Sequence, residues 1–168
     1  MKSTLLFIGL VFIVLACNNS AKEPDIKTPP DSNQSDNNTF ENPRTYVRKY
    51  ALWEYQYDSI SGRSTPVKLR SVNKDTLSAK KIVAIVNKTW PNVQVTHLRT
   101  SKDTIYLSIP KSDVLTQQMG TLGADEFMIS TTYSFTELNG IRYVSFDFQP
   151  GDHANPGVYS RNYWIKHR

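Results

Sequence analysis

Between Asn18 and Arg44 the chain offers only two large apolar side chains, Ile26 and Phe40, among Asn, Asp, Ser and Pro. A stretch of that composition cannot bury enough surface to offset the entropy of ordering it, so a core must come from the residues on either side. Before it stand Lys2 and then Leu5 to Ala16 without a charge. As a helix that run reaches roughly 18 Å against about 30 Å of bilayer hydrocarbon, too short for a stable transmembrane span. Its charged start and apolar middle match a secretory signal. After it, Thr45 to Arg168 is one domain's worth of chain, long enough to form a core without staples.

The single cysteine, Cys17, closes the apolar run after Leu15-Ala16. This resembles the lipobox of bacterial lipoproteins, in which a peptidase cuts before the cysteine and fatty acyl chains are attached to its sulfur and new amino terminus. The resemblance implies a signal peptide over 1–16, lipid attachment at Cys17 and a membrane-bound mature protein, since two or more acyl chains hold firmly. With Asn18 in place of Asp after the cysteine, it also implies the outer membrane in a Gram-negative cell. Residues 17–44 then form a lipidated, flexible linker with a reach on the order of 30 Å, and 45–168 a single domain. No other thiol remains for a disulfide or thiolate site. The net charge of +5 includes Lys2 and is spread among mixed acids and bases, which argues against nucleic-acid binding.

Along the domain, Thr45 to Tyr57 alternates, with Val47, Ala51, Trp53, Tyr55 and Tyr57 on one side, and predicts a strand; Val67 to Val72 pairs back on it after the turn-forming Ser59–Pro66. Asp75 or Thr76 caps a helix to Thr89, with Ala79, Ile82, Val83, Val86 and Trp90 on one face and Pro91 as its stop. Val93–Arg99 and Thr104–Ile109 form a hairpin around Thr100–Asp103. From Ser112 a second helical region, interrupted near Gly120 and Gly123, carries Phe127, Met128, Thr131, Phe135 and Leu138 on one stripe and ends at Asn139-Gly140. Ile141–Phe148 is the last clear strand, followed by a Gly- and Pro-punctuated tail.

The order strand, helix, strand, strand, helix, strand predicts an α+β fold: a split β-α-β-β-α-β two-layer sandwich, with two helices on one face of a mixed sheet. Pro66–Val72, Asp103–Ile109, the Gly120–Leu138 stretch and Gly140–Val144 together resemble the GerMN domain family of spore-germination and other bacterial envelope lipoproteins. That likeness covers most of Thr45 to Gly151 and implies a non-catalytic envelope module, with no active-site residues to transfer.

Chemistry-bearing residues concentrate in the tail. Asp152 and His153 lie between the turn formers Pro150-Gly151 and Asn155-Pro156-Gly157, where a general base or a metal ligand could be built, although adjacent residues of an extended chain point opposite ways. His97 and His167 reach them only through the fold. Tyr159, Arg161 and Tyr163 alternate on one side of a candidate final strand with Trp164 on the other, and aromatics with an arginine can anchor a protein or stack on sugar rings. Tyr46, Tyr50, Trp53 and Tyr55 read as strand packing. The sequence contains neither a nucleophile elbow nor a phosphate-cradling loop, and no cofactor is expected. The expectation is a non-enzymatic, lipid-anchored module binding a protein or cell-wall partner, with His153, Tyr159, Arg161, Tyr163 and Trp164 as candidate contacts. The alternative is a small hydrolase or metal-dependent enzyme using Asp152 and His153.

Overall fold

The computed structural model of the chain describes residues 43–60 and 63–166. Cys17, the linker before Pro43 and His167 lie outside them. The described residues all belong to one compact unit, Thr39–Arg168.

This unit opens with a helix, α1 (Pro43–Tyr50), where alternation predicted a strand. Residues four apart share a face in both a helix and a strand, so Val47 and Ala51, both buried, do not discriminate. Lys49 does: a strand would turn it to the buried side with them, whereas the helix leaves it exposed. Pro43 suits the first helical position, where its missing N–H is no loss. At the other end, Arg70 donates to the Lys49 carbonyl at 2.8 Å and to those of Arg48 and Ala51, closing the helix with a cation.

The expected strand survives as its second half, β1 (Trp53–Asp58), paired antiparallel with β2 (Arg63–Lys68) from Trp53↔Lys68 to Asp58↔Arg63. These two make a sheet of their own and do not join the larger one. Next comes α2 (Ala79–Thr89), which begins at the cap Ser78, later than Asp75 or Thr76. The Asn73 side chain accepts the Asp75 N–H at 2.9 Å and its carbonyl receives Thr76, a local turn that competes with the helix for these groups.

The main sheet runs β3 (Thr96–Ser101), β4 (Thr104–Ser108), β5 (Tyr143–Asp147), β6 (Gly157–Tyr159) in that spatial order. β3–β4 and β5–β6 are antiparallel and β4–β5 parallel, so the expected α+β class with a mixed sheet is present. The β4–β5 crossover carries a π-helical turn, Val114–Gln118, and the helix α3 (Gly120–Phe135). Ile105 and Leu107 of β4, Val144 and Phe146 of β5, and Ile109 just beyond β4 turn inward onto Phe127 and Phe135 of α3 and Ile82 and Val86 of α2. Trp90 meets Phe127 edge-on at 5.7 Å. Each such fully buried side chain contributes about 2 kcal/mol.

Every residue of α3 from Phe127 to Phe135 is buried, because the helix packs on β1 and β2 as well as on β5. Two of its hydroxyl side chains tolerate this by donating back to carbonyls one turn earlier, Thr132 to Met128 at 2.7 Å and Ser134 to Ser130 at 2.7 Å, whereas the buried Thr131 hydroxyl has no partner among the described residues. The helix ends at Phe135, short of the expected Asn139-Gly140, and Gly140 takes a φ of +78° in the turn toward β5. The tail also departs from expectation: only Gly157–Tyr159 is strand, and Arg161–Lys166 is a short helix, α4.

Candidate functional site

The helical turn of α4 gathers what a strand would have dispersed. Tyr159 and Tyr163 are four apart, and their rings meet edge-on at 4.8 Å; Trp164 stacks on Tyr159 at 5.1 Å and 8° and stands edge-on to Tyr163 at 4.9 Å. Tyr159 is buried, leaning on Phe146 and donating its hydroxyl to the Asn155 carbonyl at 2.7 Å. The Nε1–H groups of Trp164 and of Trp53 are buried with no acceptor among the described residues.

The loop before β6 is held just as closely. Gly151 approaches the π-helical turn so tightly that a Cβ there would lie 2.9 Å from the Thr116 carbonyl oxygen, so only glycine fits without displacement. His153 then donates its backbone N–H to that carbonyl at 3.1 Å, and Ser112 donates its hydroxyl to the Gln149 carbonyl. These bonds place the half-buried His153 ring 3.3 Å from the Thr121 hydroxyl at the start of α3.

Between loop, helix α4 and α3 lies a cavity of about 130 Å³, lined by His153, Ala154, Asn155, Tyr159, Tyr163 and Trp164, with Asp125 and Met128 of α3 completing it. Four of the five residues expected to make contacts, His153, Tyr159, Tyr163 and Trp164, thus share one pocket. Asp125 joins them unforeseen, although its place one turn before Met128, beside the apolar stripe, is a signal the sequence does carry. Its half-buried carboxylate receives no hydrogen bond and no ion pair among the described residues. Burial raises its pKa above the ordinary aspartate range, with no neighbour offsetting the shift. Tyr159 is raised as well, first by burial, then by Tyr163 and the Asp125 charge.

The fifth residue, Arg161, turns away. Its Nε donates to Thr136 Oγ1 at 2.8 Å and its Nη2 to the Tyr133 carbonyl and Glu137 Oε1 at 3.0 and 2.9 Å. Lys68 of β2 takes the other oxygen of Glu137 at 2.9 Å, and both cations lie over the Trp53 ring. Burial favours the neutral form of Glu137, but the hydrogen bonds and charges of Lys68 and Arg161 outweigh it and hold the carboxyl below its usual range. Arg161 therefore ties α4 to the β1–β2 hairpin.

Asp152 is exposed and does not line the pocket, and the His153 ring meets a hydroxyl where a catalytic pair would need a carboxylate. His97 sits on β3, its ring 3.0 Å from Thr100 Oγ1. Among the described residues no group of three or more His, Cys, Asp or Glu is arranged to hold a metal ion, and no helix is long and apolar enough to cross a membrane. A second concavity, of about 310 Å³, is lined by Thr136, Ile141, Arg142, Tyr143, Ser160, Arg161 and Asn162; its two arginines are engaged by Asp103 and Glu137. The outer face of the main sheet carries Tyr106 under the Arg99 guanidinium, with Tyr143 and Val158 exposed.

No protein-family model matches the chain, and no curated protein or solved structure is significantly similar to it.

Proposed function

We propose that this chain is a lipid-anchored, non-catalytic module of the bacterial cell envelope that binds or positions a protein or cell-wall partner at its C-terminal pocket. The observation that carries the reading is the convergence of His153, Tyr163 and Trp164 on a carboxylate, Asp125, that no other described residue compensates. A buried polar group without a partner calls for a specific role, and groups whose pKa values are perturbed by desolvation cluster at functional sites. Anchorage rests on Cys17 behind Leu5–Ala16, and the low-complexity linker to Arg44 would let the domain reach partners away from the bilayer. The patterned likeness to GerMN domains belongs to the same proposal, as does outer-membrane placement in a Gram-negative host.

The test fractionates cells carrying the full chain, wild type and Cys17→Ala, and presents the purified mature protein to isolated cell walls and envelope proteins. Expected are an acylated Cys17 by mass spectrometry, release of Cys17→Ala from membranes, and retention on one envelope component that Tyr163→Ala loses. An unacylated Cys17, or retention indifferent to Tyr163, overturns the proposal.

A further inference from the structure

The reading of the C-terminal pocket as a contact site leaves its ligand chemistry open, and the lining narrows it. One half-buried carboxylate faces the cavity, no lysine or arginine among the described residues lines it, and the other walls are aromatic rings, the Met128 thioether, Ala154, the Asn155 amide and the His153 imidazole. An anion would meet Asp125 with like charge, and a neutral ligand would leave that charge uncompensated. A divalent cation asks for six or more oxygen ligands, or for several nitrogen and sulfur ligands, and the pocket supplies a single carboxylate. A monovalent organic cation satisfies both surfaces, forming a charge-assisted hydrogen bond to the carboxylate while its adjoining methylenes and positive charge rest against aromatic walls. The volume, about 130 Å³, admits such a head group with a short stem.

We propose that the pocket between α3 and α4 binds a primary ammonium group of the partner, with Asp125 as its counter-ion and Tyr163 and Trp164 as its wall. The inference rests on the reading of this pocket as the partner contact and adds the chemistry that the contact selects. Lysine side chains and free amino termini both present this group.

The full mature chain is titrated with Nα-acetyl-lysine amide and with alanine amide, the first offering a side-chain ammonium and the second a free amino terminus. Nα-acetyl-norleucine amide, which replaces the ammonium end by a methyl, serves as the uncharged control. The Trp164 indole N–H resonance reports occupancy. Saturable shifts with either amine and none with the norleucine probe are expected, and the amine that binds identifies the source of the group. Asp125→Asn weakens that binding about tenfold or more, the factor for loss of one charge-assisted contact, while its melting temperature stays at or above that of wild type, which separates lost binding from lost folding. Equal binding of the norleucine probe, unchanged affinity in Asp125→Asn, or no saturable shift with either amine overturns the inference. If the amines fail while Tyr163→Ala still abolishes retention on the envelope component, the ammonium assignment falls and the contact-site reading stands.

Discussion

Replacing Glu137 by Gln removes the one anion shared by Lys68 and Arg161 while keeping the side-chain shape. The Glu137 side chain is 4% exposed, and its two cations are 37% and 35% exposed. Breaking a fully buried pair costs about 3–5 kcal/mol, whereas exposed pairs are worth under about 1 kcal/mol. With a dry carboxylate, half-wet cations and one acceptor retained by Gln, each charge-assisted bond should lose about 1 kcal/mol, or roughly 2 kcal/mol together. For a domain of this size that lowers the melting temperature by about 6–10 °C. Circular dichroism melts at neutral pH read the loss, and Trp53 fluorescence reads the release of the cations above its ring. Because the native carboxyl is held below its ordinary value of 4.5, its stabilisation is complete above that pH and disappears as pH falls through the depressed native value. The gap between wild type and variant must therefore close in acid. A Glu137→Gln protein within about 0.5 kcal/mol of wild type at neutral pH, or a gap independent of pH, refutes the reasoning.

Asp125→Asn should act in the opposite direction, raising stability at neutral pH by about 1 kcal/mol, since it removes a half-buried charge without a partner. A raised native pKa means the wild type recovers this deficit as pH falls through that value, so denaturant midpoints of the two proteins converge in acid; His153, which also lines the pocket, is replaced by Gln in both for this comparison. Gly151→Ala should cost about 2–3 kcal/mol, because its Cβ would press on the Thr116 backbone oxygen and Cβ, and the His153 amide should lose hydrogen-exchange protection with it. Normal protection in a folded Gly151→Ala protein would show that the loop does not depend on this contact.

What the sequence disclosed follows from which residues have local meaning. Ile105, Leu107 and Ile109 alternate strictly because β4 has one buried and one open face, and Ile82, Val86 and Trp90 follow helical spacing up to Pro91, so both elements were legible, although the cap is Ser78 where Asp75 or Thr76 was expected. Val47 and Ala51 suit helix and strand alike, and only Lys49 breaks the tie. Tyr159, Arg161 and Tyr163 alternate as a strand would, yet Tyr159 and Tyr163 also lie four apart, and packing of Trp164 on Tyr159 decides for the helix. Whether β1 joins the main sheet depends on pairing between distant segments, which periodicity does not encode. The same limit hid the Glu137 triad: Lys68, Glu137 and Arg161 are remote in the chain, and nothing near any of them announces the others.

The contact claim is tested most directly by placing a photo-activatable residue at position 163 in the full chain and irradiating intact cells, with the same residue at Lys80 on the exposed side of α2 as reference. A discrete adduct at 163, absent at 80 and lost when Asp125→Asn is added, is the outcome the account predicts. Equal adduct patterns at the two positions, or an adduct at 163 untouched by the loss of the Asp125 charge, would contradict it.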